Sequence, residues 1–251
     1  MITVGLDFGT HQTKVCIEDK EGSELSYRFL RFPDAEGNLR FTLPSAIHFL
    51  ADGRLHYGYP TKDTPAETVR YFKQVLFNSG VPESMPKESA KFYAIWYLAY
   101  IIFLLEEKYG KDFAIQMGAP MGETTMDFAR HTAVETLVSA YQLVEDVFEN
   151  NLQKFLDTPA KQLLSLTPEV EYSDDIKNEY GILVFPEAYA CLKPLTSRGR
   201  IGSGMSLMVD IGGGTTDISF FTIQNGAPAV YKFWSLNKGL NYLTDSPAAS
   251  S

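Results

Sequence analysis

Twice in this chain a short apolar stretch runs into an aspartate and then a glycine. The first instance is Gly5-Leu6-Asp7-Phe8-Gly9-Thr10, and the second is Val209-Asp210-Ile211-Gly212-Gly213-Gly214-Thr215-Thr216-Asp217. Each pattern predicts a strand that ends in a carboxylate, a tight turn, and a returning strand. Glycines in such a turn let the backbone approach a bulky anion closely and adopt positive φ. The N–H groups they expose can cradle phosphate oxygens. Asp7, Asp210 and Asp217 add hard oxygens suited to Mg²⁺, which is often held through its waters. One Asp-x-Gly is an ordinary hairpin. Two in one chain, each at a strand end, predict opposed loops gripping a single phosphate chain. No GxxxxGK[ST] loop occurs, and Gly202-Ser203-Gly204 precedes a strand pattern instead of opening a helix as a dinucleotide fingerprint does.

Between these turns the pattern alternates. Strand signals lie at Ile2 to Phe8, Thr13 to Glu18, Leu25 to Phe32 and Phe41 to Phe49. Later ones lie at Phe113 to Gly118, Gly181 to Phe185, Ser206 to Ile211, Thr216 to Ile223 and Ala229 to Ser235. Helical patterns cover Ala66 to Phe77, Ser89 to Tyr109 and Thr125 to Glu149, the last opened by a capping-box-like Thr124 and Asp127. Asn150 to Tyr180 has no clean period and is expected to be a surface excursion. Strands alternating with helices give an α/β class with mixed sheets and flanking helices.

One stretch, Phe92 to Leu105, has 14 apolar or aromatic residues without a charge. A bilayer needs about 20, so the expectation is a buried helix capped by Ser89 and ended by Gly110. Net charge is 22 − 31 = −9, which argues against a nucleic-acid or anionic-membrane binder. The start MITVGLDFG lacks the basic and apolar regions of a secretion signal, so a reducing cytoplasm is expected. Cys16 and Cys191 are too few for a disulfide scaffold. Cys16 is expected to be a buried small residue, and His11, His48, His56 and His131 share no metal-ligand spacing.

GLDFGTHQTK and MVDIGGGTTDIS together resemble the two phosphate-binding hairpins of the actin, Hsp70 and sugar-kinase superfamily of ATPases. The order of the intervening pieces looks most like an Hsp70-type nucleotide-binding domain. Phe41-Thr42-Leu43-Pro44-Ser45-Ala46-Ile47 is similar to that family's TPSYV strand, and Phe72-Lys73-Gln74-Val75-Leu76 stands where its AKRLIG segment does. Gln116 to Pro120 is similar to its TVPA strand end, and Pro186-Glu187-Ala188-Tyr189-Ala190 falls at its EPTAAA helix start. The resemblance implies an actin-like (ribonuclease H-like) ATPase fold, with Mg-ATP between two lobes and slow hydrolysis coupled to lobe closure.

It also implies roles. Asp7 and Asp210 would hold the Mg²⁺ hydration shell and orient the attacking water. Gly9 and Thr10 on one side, and Gly212, Gly213, Gly214 and Thr215 on the other, would bind phosphate oxygens. Lys73 would place its cation on the γ-phosphate, and Asp217 matches the second family carboxylate. Such a set supplies the positioning and charge neutralisation that phosphoryl transfer needs. The partners implied are nucleotide, client proteins and co-chaperones, with self-association if the chain is instead a filament former.

The sequence also departs from the family. His11 replaces a threonine, and Phe185 stands where the family has a glutamate. A carboxylate follows the proline only as Glu187, where bacterial plasmid-segregating actins carry theirs, linked to hydrolysis. On this resemblance residues 1–200 form a first lobe with an insertion at 150–180. Residues 201–244 begin a second lobe around Asn237-Lys238-Gly239-Leu240-Asn241, and 245–251 form a disordered tail. The second lobe's adenosine-binding glycine motif is missing, so the chain reads as truncated, with weak or no turnover. Three alternatives stand beside this reading: a filament-forming actin-like ATPase, a small-metabolite kinase on the same fold, and a binding module that no longer hydrolyses ATP.

Overall fold

The computed structural model describes residues 2–21, 24–61, 64–77, 85–121, 125–187, 189–190, 192, 195, 201, 204–224, 227–236 and 238–240. Thr124, Cys191, most of the Arg198 to Gly204 loop and the 245–251 tail lie outside them. The chain divides into two compact units: Met1–Met117 with His131–Leu183, and Gly118–Arg130 with Val184–Ser251. It is a mixed α/β protein with several sheets and flanking helices.

The strands of the N-terminal region are β1 (Ile2–Phe8), β2 (Gln12–Glu21), β3 (Glu24–Phe29), β4 (Phe32–Pro33), β5 (Leu39–Arg40), β6 (Leu43–Pro44), β7 (Ala46–Phe49), β8 (Leu55–Tyr57) and β9 (Glu67–Arg70). Helices α1 (Phe72–Phe77) and α2 (Lys87–Tyr109) follow, then β10 (Phe113–Ala119) and α3 (Met126–Gln142), which runs into a π-helical turn at Leu143–Val147. Three short helices, α4 (Leu152–Asp157), α5 (Ala160–Leu166) and α6 (Asp174–Glu179), lead to β11 (Ile182–Pro186). The last elements are β12 (Met205–Ile211), β13 (Thr216–Gln224) and β14 (Ala227–Leu236).

The main sheet has the order β11-β10-β1-β2-β3, with β6 also paired to β2. β1 pairs antiparallel with β2 and parallel with β10, so that Val4 faces Ile17 on one side and Ile115 on the other. Alternate residues share a face. Val4, Leu6, Phe8, Thr13, Val15, Ile17, Ile115 and Met117 make the buried one. Thr3, Gly5, Asp7, Lys14, Cys16, Glu18, Ala114 and Gln116 lie on the other, which β3 extends with the exposed Leu25, Tyr27 and Phe29. Helix α2 covers the buried face, with Tyr97 stacked on Phe8 at 5.9 Å between ring centroids.

Helix α2 is long and apolar enough to cross a membrane by length and composition. In the fold it is a core helix, with Ala94 to Ala99 and Ile101 to Phe103 all buried. Gly110 ends it in the left-handed region, at φ 77°. The start differs from the sequence expectation: the helix begins at Lys87 after Pro86, and Ser89 lies inside it. Pro86 takes the N-cap place in extended backbone, and no side chain caps the helix.

Two further segments differ from expectation. Ala66 to Phe77 is a strand and then a helix, because Glu67–Arg70 pairs with β7 and Tyr71, at φ 63°, breaks the backbone direction. Asn150 to Tyr180 is a docked layer of three short helices. Phe155 packs among Tyr57, Phe103 and Phe148 at 5.0–5.5 Å between ring centroids. The Trp96 indole N–H donates to Thr167 Oγ1 at 2.7 Å, and Arg54 reaches Asp157 at 3.0 Å.

In the second unit β12, β13 and β14 form an antiparallel meander with a bulge between Phe220 and Phe221. Ser219 and Phe221 are buried on one face. On the other face Met205, Leu207, Val209, Ile211, Trp234 and Leu236 stand in register and are all exposed.

Candidate functional site

One Asp-Gly turn lies in each unit. In the first, β1 ends at Phe8 and β2 begins at Gln12, opposed through Phe8 and Thr13. The Gly9 N–H donates to the Asp7 carbonyl at 3.1 Å. A Cβ at Gly9 would collide with the Gln12 carbonyl, so no larger residue fits. Gly9 does not use the left-handed region, however, and neither do Gly212 and Gly239. The expectation of positive φ is therefore corrected at Gly9 and Gly212. What these turns need from glycine is close approach of backbone to backbone.

Asp7 is exposed and directly opposes Lys14, whose Nζ lies 3.4 Å from its Oδ2. With both side chains more than half exposed, the pair contributes little to stability. It holds the carboxylate at the strand end while leaving it open to water. Thr10 is half-buried and His11 exposed. Lys73 is only 7% exposed, and its Nζ sits 5.8 Å from the centroid of the Phe8 ring. Phe8 follows Asp7 directly, so Lys73 lies close to the end of β1. Phe8, Phe72 and Tyr97 pack pairwise at 5.5–6.1 Å between ring centroids beneath this end of the strand.

In the second turn the Gly212 N–H donates to the Thr215 carbonyl at 2.9 Å. Asp210 and Asp217 face each other in register, Asp210 exposed and Asp217 half-buried, with Thr215 Oγ1 3.4 Å from Asp217 Oδ2. Like charges directly opposed across a sheet repel. The segment after β14 closes on the turn. The Leu240 N–H donates to the Gly212 carbonyl at 2.9 Å, and Thr216 Oγ1 donates to the Lys238 carbonyl at 2.7 Å. A Cβ at Gly239 would strike the carbonyls of Gly212 and Gly213.

Glu187 follows β11, at the first helical residue after Pro186. Gly118 of β10 leaves room for it, since a Cβ there would lie 3.1 Å from Glu187 Cγ. The structure thus brings together Asp7, Gly9 and Thr10 in one turn with Lys73 beneath the strand end. It brings together Asp210, Gly212, Thr215 and Asp217 in the other.

Cys16 is half-buried, and burial followed by the Glu18 charge pushes its thiol up. A raised thiol is a poor nucleophile. His48 is structural: Nε2 donates to the Gly58 carbonyl and Nδ1 accepts from Thr68 Oγ1, each at 2.9 Å. Burial holds it below the usual histidine range.

Sequence reasoning missed three contributors. Lys14 was findable, because a short hairpin fixes its register opposite Asp7. Ser45, which bonds the first turn, and Gly239, which closes on the second, carry no local signal. Compared with known proteins, the chain matches no family model, and no curated protein matches it.

Proposed function

We propose that this chain carries the two phosphate-gripping turns of an actin- and Hsp70-type ATPase and binds Mg-ATP. Slow hydrolysis would belong to the protein that has both lobes, working as a chaperone on client proteins. The observation that carries this reading is the repetition of one device in each unit: a strand ending in an exposed aspartate, followed by a turn in which a Cβ meets backbone oxygen. Mixed sheets with flanking helices are compatible with the ribonuclease H-like fold that the reading requires.

The residues present fit Mg²⁺ and a polyphosphate. All of the carboxylates concerned are oxygen donors, and Asp210 directly opposes Asp217. Among the described residues no three His, Cys, Asp or Glu converge on a metal position. A magnesium ion that keeps most of its waters needs only one or two carboxylates. Asp7 and Asp210 would hold its hydration shell. Gly9, Thr10, Gly212, Gly213, Gly214 and Thr215 would present donors to phosphate oxygens, and Lys73 and Glu187 complete the proposed set. When bound, the ion neutralises phosphate charge.

Titration of the whole chain with ATP, with and without Mg²⁺, tests the reading. Saturable binding that needs Mg²⁺ is expected, and binding indifferent to Mg²⁺ would overturn it. A second reading, a filament-forming ATPase, is favoured by the exposed apolar face of β12–β14 and by the place of Glu187 after Pro186. Pelleting of the protein only in Mg-ATP would select it.

A further inference from the structure

Ser45, between β6 and β7, is only 3% exposed, yet it bonds the first turn twice. Its Oγ donates to the Gly9 carbonyl at 2.6 Å, and its backbone N–H donates to the His11 carbonyl at 2.9 Å. Since the Ser45 hydrogen goes to Gly9, the hydroxyl of the fully buried Thr13, 3.2 Å from Ser45 Oγ, donates to Ser45 in turn. The Tyr97 hydroxyl of α2, beside both, donates to the Leu43 carbonyl at 3.1 Å. Such a buried chain of donors polarises along its length, and all of its members sit on the core side of the turn.

The described residues contain no cis peptide bond. In a trans peptide the carbonyl and the following N–H point in opposite directions. Drawing the Gly9 carbonyl toward Ser45 therefore turns the Thr10 N–H away from the core. Drawing the His11 carbonyl the same way turns the Gln12 N–H away too. We propose that Ser45 is a positioning residue that locks the Gly9–Thr10 peptide with its N–H outward, as a fixed donor for an anionic phosphate oxygen. Without that hydroxyl the Gly9 carbonyl has lost its donor, and the peptide is free to rotate. The inference rests on the phosphate reading of the turn and names what makes that turn competent.

The test uses the whole ¹⁵N-labelled chain titrated with pyrophosphate plus Mg²⁺, following the Thr10 and Gly213 amide signals separately. Both should shift saturably in the unmodified protein. In Ser45→Ala the Thr10 response should weaken at least tenfold while the Gly213 response persists, and Ser45→Thr, which keeps the hydroxyl, should restore it. A Ser45→Ala protein whose Thr10 amide responds with unchanged affinity would overturn the proposal, and so would a Thr10 amide that never moves while Gly213 does. If neither amide responds, the phosphate reading itself has failed, and the proposal falls with it. Hydrogen exchange in the unmodified chain decides independently of whether the variant folds. The Thr10 amide should exchange fast and the Gly9 amide, bonded to Asp7, slowly; a protected Thr10 amide would contradict the outward N–H.

Discussion

The two sheets that carry the turns distribute their exposed apolar side chains differently. In the first unit the face of β1, β2 and β10 left uncovered by α2 is Thr3, Gly5, Asp7, Lys14, Cys16, Glu18, Ala114 and Gln116, a surface suited to solvent. In the second unit the uncovered face of β12–β14 is Met205, Leu207, Val209, Ile211, Trp234 and Leu236, with exposures from 44% to 67%. Monomers rarely expose so contiguous an apolar patch unless something binds it. The first sheet confines the exposed apolar side chains of its uncovered face to its edge strand β3, where Leu25, Tyr27 and Phe29 are 49% to 61% exposed. The second has a buried face, with Ser219 and Phe221, and an outer face whose chemistry calls for a covering layer.

That contrast predicts unequal costs for equal deletions. Ile115→Ala, on the buried face of the first sheet, should cost about 3 to 4 kcal/mol. Leu207→Ala, on the outer face of the second, should cost under about 0.5 kcal/mol. Urea denaturation of both variants at low protein concentration measures the difference. A Leu207→Ala cost near that of Ile115→Ala would mean that the second face is covered in solution.

The first unit has its own misfit, a polar group on the covered side. Glu106 is 9% exposed, with Oε1 lacking a hydrogen-bond partner and Oε2 accepting from Asn150 Nδ2. Burial, then the Glu145 carboxylate, push its acid from the ordinary 4.5 up to about 7, with Lys111 opposing. Between those values the folded protein keeps a proton that the unfolded chain releases. The stability from this group is therefore full below that window, declines across it and is flat above. Glu106→Gln removes the titration, so its stability relative to the unmodified chain should improve by about 3 kcal/mol from pH 4 to pH 8. Denaturation at both pH values checks this, and an unchanged difference would show that the carboxylate ionises without cost.

Lys14→Ala is the smallest case. Loss of an exposed pair should shift stability by under about 0.5 kcal/mol. A larger loss would mean that the Asp7 strand end is less open to water than its exposure indicates.

What was legible in the sequence was what is local. The β1–β2 and β12–β13 hairpins, the apolar helix α2 and the strand β10 each show their own period, and Asp7 and Asp210 stand beside their glycines. Glu67–Arg70 was hidden because its strand character comes from pairing with β7, and the context of a sheet outweighs propensity. The layer at 152–179 was hidden because helices of six or seven residues, anchored by single side chains such as Phe155 and Leu163, never complete a period. In the candidate site the carboxylates and glycines were readable, whereas Ser45, 36 residues from Gly9, becomes visible only when the chain is folded.

The central proposal is that the chain binds Mg-ATP through the aspartates beside its glycine turns. Asp7→Asn and Asp210→Asn variants, with Mg-ATP affinity as the readout, test it most directly. Each change should weaken Mg²⁺-dependent binding at least tenfold. An affinity indifferent to either aspartate would contradict it.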